Sequence, residues 1–232
     1  MSLNKHGYEI ANYHNWQGKK KCAILRHDID NSIDRALQLA RLEQCGGVSS
    51  TYFVIVTSDF YNVYSKECGS MLREICDLGH EVGVHFDETA YPDAVGKPDI
   101  MIKKIIHEGE LLSDIIGHAV TTVSMHRPSK NILEGDMQIS GFVNSYSNIF
   151  FHEFKYVSDS RRSWRESIEQ YIENETYDKL HILTHAFWYR DFELDIHDTV
   201  EEYINSGNKD RYENLNRNFT NLEDVMKREE IR

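Results

Sequence analysis

A barrel of parallel strands wrapped by helices, with fewer than eight strands, is the fold class this chain predicts. Three observations carry that expectation. Strand-like and helix-like segments alternate over residues 22–125, no Pro-, Gly- or Ser-rich linker interrupts the 232-residue chain, and several apolar runs end in histidine or aspartate. Alternation of this kind implies parallel pairing through right-handed crossovers, hence a doubly wound sheet or a barrel. Polar residues just past the strands favour the barrel, whose C-terminal strand ends converge on one mouth.

In chain order, CAILR at 22–26 suits a buried strand, and Asn31 or Ser32 caps a helix running to about residue 44 on Ala36, Leu37, Leu39, Ala40 and Leu42. Gly46 and Gly47 end it. STYFVIV at 50–56 is a second strand, rich in β-branched and aromatic residues, and helical period returns over 65–78 until Gly79. HEVGVHF at 80–86 is the third strand, 99–116 a long amphipathic helix closed by Gly117, and AVTTVSM at 119–125 the fourth strand. Short strands are expected at 141–146 and 155–157, a helix over 164–173, and a strong strand, KLHILTH, at 179–185. Residues 191–232 form a charged, mostly helical extension of a single domain, 1–232, whose core spans about 20–190.

Composition narrows the function. A 40% hydrophobic fraction with 13 Tyr and 10 Phe supports a substantial core and argues against disorder. A net charge of −12 removes the general attraction for phosphate backbones, so nucleic acid is not the expected partner. The longest apolar runs fall far short of the roughly 20 residues needed to span a bilayer, and MSLNKHGYEI has no secretory apolar stretch, so a soluble cytoplasmic protein is expected. Cys22, Cys45, Cys68 and Cys76 show no C-x-x-C spacing and are expected to be reduced thiols. Neither a G-x-S-x-G elbow nor a phosphate-binding glycine loop is present. The oligomeric state is not indicated.

The chemistry-bearing residues gather at four strand ends: Arg26-His27-Asp28-Ile29-Asp30, His85-Phe86-Asp87, His126-Arg127-Pro128 and His185. Each histidine alone suits a satisfied turn or core position; four together with two carboxylates suit a site. Asp28 and Asp30, two apart, point to the same side of a strand. Two carboxylates so close need a cation or a proton between them, which points to a divalent metal with one carboxylate as ligand and the other as base. An alternative for Asp30 is a helix N-cap. Imidazole and carboxylate together suit zinc, with Asp30 and His85 as two ligands and an open position for water. Such a water is a nucleophile near neutral pH, and a histidine off the metal, His185, can protonate the leaving amine. Phe187, Trp188 and Tyr189 follow His185, and Trp188 offers an aromatic face for a sugar ring, though an aromatic cluster after a strand is more often core.

These segments resemble the polysaccharide deacetylase family, carbohydrate esterase family four, over roughly residues 20–190. LRHDID at 25–30 is similar to that family's aspartate motif with one residue between the acids, STYFV at 50–54 to its second strand, and LGHEVGVH at 78–85 to its metal-histidine strand. HRPS at 126–129 resembles its arginine-proline motif and ILTH at 182–185 its last motif. The resemblance implies a distorted, incomplete (β/α) barrel of about seven parallel strands. It implies Asp28 as base, Asp30 and His85 as metal ligands, Arg127 orienting Asp28, Leu183 lining an acetyl pocket and His185 as acid. The family's second metal histidine lies four residues after the first, where this chain has Thr89. The third ligand then falls to His126, Asp87 or Glu88, with His126 preferred because imidazole matches the metal, a structural or substrate-binding His126 being the alternative.

The expected function is metal-dependent removal of an N-acetyl group from a sugar or glycan precursor, as in polysaccharide or lipopolysaccharide biosynthesis. Two alternatives are an allantoinase-like hydrolase of a small amide and a noncatalytic carbohydrate-binding relative.

Overall fold

The computed structural model describes residues 2–190 and 192–231. The chain divides into two compact units, with the break between Tyr189 and Arg190.

The first unit opens with a helical turn, α1 (Ser2–Lys5), and a short strand, β1 (Glu9–Ala11). Then come β2 (Cys22–Ile29), α2 (Ile33–Cys45), β3 (Thr51–Val54), α3 (Lys66–Asp77), β4 (Glu81–Asp87) and α4 (Pro98–Ile116). The series continues with β5 (Thr122–His126), α5 (Lys130–Glu134), β6 (Val143–Asn144), α6 (Ile149–His152), β7 (Lys155–Ser158), α7 (Ile168–Glu173) and β8 (Lys179–His185). Seven strands lie in the order β6-β5-β4-β3-β2-β8-β7, every pair parallel, while β1 pairs with the first residues of β2. The sheet curls into an incomplete (β/α) barrel with its seam between β6 and β7. All eight residues of β2, an interior strand between β3 and β8, are buried.

Local chemistry sets the boundaries. Ser32 caps α2 by accepting from Arg35 N, and Ser65 caps α3 by accepting from Cys68 N. Asp30 is therefore free of capping duty. Gly117 ends α4 in the left-handed region at φ 76°. Several expectations shift: the helix expected over 164–173 begins only at Ile168, because Ser167 caps it, and the strand expected at 141–146 shrinks to Val143–Asn144. Three short helices, α1, α5 and α6, lie below the length at which periodicity is readable.

The outward sheet face packs on α2, α3 and α4 through Ile29, Tyr52, Val54, Val84, Phe86, Leu37, Leu72, Ile75 and Ile105. Beside it, Leu25, Val157, Leu180 and Ile182 pack on Leu3, Ile168 and Ile172 of α1 and α7. Each fully buried aliphatic side chain contributes about 1.5–3 kcal/mol. Inside the curl, Tyr13, Trp16, Ile24, Phe53, Phe150 and Phe154 form a separate apolar plug. Gly83 allows it: a Cβ there would stand 2.7 Å from the Phe53 ring and 2.9 Å from Thr122 O. The plug fills the floor, leaving the upper, inward-facing positions for polar residues.

The second unit is mainly α8 (Ile196–Asn216), capped by Asp195, whose side chain accepts from Asp198 N. Tyr212 OH donates to Met226 O, tying the segment after α8 back to it. Among the described residues no helix is long and apolar enough to cross a membrane.

Candidate active site

Alternation along the strands brings the polar residues together. On β2 the inward positions are Ile24, Arg26 and Asp28, followed by Asp30 just past the strand end. Register places Arg26 beside Leu183 and Asp28 beside His185 of β8. Across the sheet, His85 of β4 stands beside Ser124 of β5, and His126 ends β5. The mouth is thus built from four strands whose apolar neighbours hold them rigid.

Asp30, His85 and His126 form a tight group. Asp30 Oδ1 lies 3.4 Å from His85 Nε2 and 3.4 Å from His126 Nδ1, and those two nitrogens are 3.2 Å apart. Among the described residues this is one of two groups whose ligand atoms all lie within 4.8 Å of one another; the other, Asp195, His197 and Asp198, is fully exposed. Asp30 Oδ1 is buried without a hydrogen-bond partner, as is His85 Nδ1. Donor atoms bonded at about 2.0–2.1 Å in a tetrahedral shell stand roughly 3.3 Å apart, so the trio fits a first-row divalent ion. Burial would raise the Asp30 carboxyl, but the two imidazoles beside it override burial and hold it far below the usual carboxylate range. Of the other ligand candidates, Asp87 accepts from Thr89 N and Thr89 Oγ1. Glu88 accepts from Ser129 N and so ties the β4–α4 loop to the loop after His126.

Asp28 sits next to this group, its Oδ2 3.4 Å from His85 Nε2. Its partner is Arg26, fully buried, which donates from Nε and Nη2 to Oδ1 at 3.1 and 2.9 Å and from Nη2 to Oδ2 at 2.7 Å. Ser124 and Ser145 hydroxyls accept from the same guanidinium, and the Phe53 and Tyr146 rings lie 5.1 and 5.4 Å from it. Burial pushes the Asp28 carboxyl upward, yet Arg26, helped by His85 and His185, brings it below its ordinary value. The expectation that Arg127 would orient Asp28 is corrected here. Arg127 is exposed, in a turn with φ 46°, and the guanidinium on Asp28 comes two residues earlier on the same strand.

His185 is held by a residue with little sequence signal. Asp159, buried just beyond β7, has Oδ1 2.6 Å from His185 Nδ1, and its Oδ2 accepts from His185 N and Tyr189 OH, both at 3.1 Å. His185 Nε2 points into the mouth, 3.9 Å from Asp30 Oδ2. Burial lowers its pKa, but Asp159 and Asp28 more than compensate and raise it. Leu183 is buried and inward-facing, one residue pair below His185. Trp188 is half-buried in the turn after β8 and packs edge-on against Phe187, centroids 4.8 Å apart.

Arg26 was legible in hindsight, since it precedes Asp28 and Asp30 at the same two-residue spacing. Asp159, in KYVSD, follows a strand too short to mark it.

No protein-family model matches the sequence, and no curated protein matches it. Solved structures with a similar fold include a polysaccharide deacetylase from Bacillus cereus, 18% identical over 72% of this chain and 79% of that one, with a TM-score of 0.47. They also include the catalytic domain of a peptidoglycan N-acetylglucosamine deacetylase from Eubacterium rectale, 16% identical over 81% and 84% of the two chains, TM-score 0.49. A family 4 carbohydrate esterase pseudoenzyme from Bacillus anthracis is 14% identical over 73% and 56%, TM-score 0.44.

Proposed function

We propose that this protein is a metal-dependent hydrolase that removes the acetyl group from an acetamido sugar of a glycan or glycan precursor. The reading is carried by one observation. An Asp30–His85–His126 trio with orphaned donor atoms lies beside an arginine-held carboxylate, Asp28, and an aspartate-held imidazole, His185.

One carboxylate and two imidazoles suit zinc. Bound there, the ion would supply Lewis acidity toward the amide carbonyl and lower the pKa of a water to about 7. Asp28 takes the proton of the attacking water, and Arg26 keeps that carboxylate ionised and fixes both its oxygens. The water oxygen bonds to the carbonyl carbon, the C–N bond breaks, and His185 delivers a proton to the departing nitrogen, giving acetate and a free amine. Asp159 engages Nδ1 of His185, so Nε2 is the nitrogen that serves the mouth. Leu183 offers an apolar wall to the acetyl methyl, and Trp188 an aromatic face to the sugar ring.

The test is acetate release from N-acetylglucosamine oligomers by protein loaded with zinc. Release should stop with a chelator and return with the metal. Metal-loaded protein that frees no acetate from acetamido sugars would overturn the proposal.

A further inference from the structure

The three proposed ligands are not equally supported by the sheet. His85 lies inside β4, whose ladder with β5 continues past it to Asp87 and His126. Asp30 comes one residue after β2, beyond its last pairs with β3 and β8 at Ile29 and Asp28. His126 is the final residue of β5, and on its outer side β6 pairs only with Thr122 and Val123. Asp30 and His126 therefore stand where strand pairing gives out, and other groups have to fix the backbone that carries them.

Beneath Asp30 that group is Tyr61, in the loop after β3. Its ring packs against the core between sheet and helices, and its hydroxyl donates to Ile29 O at 2.6 Å while accepting from Ile55 N at 3.0 Å. One phenol thus bridges β2 and β3 where they part, at the carbonyl of the peptide bond that leads into Asp30. Beneath His126 the backbone is strained: Arg127 has φ 46°, in the left-handed region that a residue with a Cβ disfavours. Such a conformation persists only where its surroundings over-determine it. Pro128 fixes one torsion of the turn, and Ser129 N donates to Glu88 Oε1 at 2.5 Å. Glu88 is itself buried, in a turn after β4 that Asp87 caps by accepting from Thr89 N. His126 turns Nδ1, the ring nitrogen nearer its backbone, toward Asp30 and His85, so that nitrogen follows any shift of the turn closely.

We propose that Tyr61 and Glu88 are positioning residues for the metal, Tyr61 setting Asp30 and Glu88 setting His126, so that the affinity of the site is decided partly outside its own ligands. Glu88 acts through the oxygen that receives Ser129 N, not through its charge, which distinguishes a strut from a fourth ligand. The inference rests on the metal site of the proposed function and not on its substrate.

Titration of the full chain with zinc, in competition with a chromophoric chelator, tests it. Tyr61→Phe and Glu88→Met should each weaken zinc binding about tenfold, and the double variant about a hundredfold, since the two act on different ligands. Glu88→Gln keeps an acceptor for Ser129 N and should stay within about threefold of the parent. Cobalt in place of zinc reports the arrangement of the ligands: its visible absorption bands should shift in Tyr61→Phe and Glu88→Met but not in Glu88→Gln. Ser129→Pro removes the same N–H at a residue whose φ of −66° suits proline, and serves if Glu88→Met fails to fold. Parent zinc affinity with unshifted cobalt bands in the folded variants overturns the positioning role. Equal losses in Glu88→Gln and Glu88→Met overturn it for Glu88, because the charge and not the hydrogen bond would then matter. Zinc binding weakened in these variants, in a parent that binds zinc but frees no acetate, keeps the inference and removes the deacetylase reading. Acetate release by a parent whose variants bind zinc equally well does the reverse, and a parent that binds no zinc overturns both.

Discussion

Two buried polar networks lie back to back on β2, one facing the helices and one facing the mouth, and they are finished differently. On the outward side, His27 Nδ1 meets Thr184 Oγ1 at 2.5 Å and Nε2 meets Glu43 Oε1 at 2.9 Å. Glu43 Oε2 accepts from Ser50 Oγ and Tyr52 OH, both at 2.8 Å. His80 accepts from Ser50 N and meets Ala40 O at 2.9 Å. Every ring nitrogen and carboxylate oxygen in that network has a partner. On the inward side, one residue along at Asp28 and Asp30, Asp30 Oδ1 and His85 Nδ1 have none. A buried polar atom without a partner costs about 1–3 kcal/mol, so the two faces teach a distinction that residue type alone does not. Histidine and carboxylate closed on each other hold strands to helices, whereas the histidine and carboxylate left open are the ones on which the proposed metal site rests.

The sharpest way to break this contrast is at Asp28. Asp28→Asn keeps the shape but removes the proton acceptor, and acetate release should fall about 10²- to 10⁴-fold while zinc affinity changes little. Unchanged turnover in the metal-loaded variant would take Asp28 out of the chemistry. Arg26→Met comes next, because it leaves a buried carboxylate without its counter-ion. Breaking such a pair from one side costs about 3–5 kcal/mol, to be read in denaturant unfolding, and the double variant Arg26→Met/Asp28→Asn should recover much of that loss. If Arg26→Met alone is as stable as the parent, the guanidinium does not hold the mouth.

The same contrast explains which parts of the molecule were legible in sequence. The parallel barrel followed from alternation, and β2, α2, α3, β4, α4 and β8 lie within a few residues of where their period and their Ser and Gly caps put them. Long elements with one buried face advertise themselves; β6, at two residues, and α6, at four, do not. In the mouth, Asp28, Asp30, His85, His126 and His185 were visible because each stands within two residues of a strand's C-terminal end, and the structure brings all five together. Arg127 misled because it sits in a run shaped like the arginine-proline motif, while Arg26, read as the last residue of the first strand, was given no role of its own beside Asp28 and Asp30. Asp159 depends on β7 packing beside β8, a contact between strands that no local pattern encodes.

Glu108 sharpens the comparison from outside the mouth, as an unfinished polar group within the helical layer. Tyr91 OH donates to its Oε1 at 2.7 Å, but Oε2 is buried without a partner, and burial, with Asp87 adding to it, raises its pKa to about 7. The folded state therefore holds this proton more tightly than the unfolded chain. Stability from this group is full below about pH 4.5 and is lost as pH rises toward 7. Glu108→Gln mimics the neutral acid and should flatten that fall, leaving the variant more stable above neutrality by up to about 3 kcal/mol. A slope between pH 5 and pH 7 that is identical in parent and variant would assign it to other groups.

The smallest effect is expected where the network is complete. Glu43→Gln retains one oxygen for its neighbours but sets an amide against either His27 or the two hydroxyls, and the hydroxyls can turn to accept. The cost should be roughly 1–2 kcal/mol, the scale of one or two exchanged hydrogen bonds. Because Glu43 acts on the outward side of β2 and the trio opens on the inward side, zinc affinity should stay within about twofold of the parent, a difference of roughly 0.4 kcal/mol. Stability and metal affinity measured on the same variant separate the two faces. If both fell together, His27 and Asp28 would be coupled through the strand, and the outward network would belong to the mouth it supports.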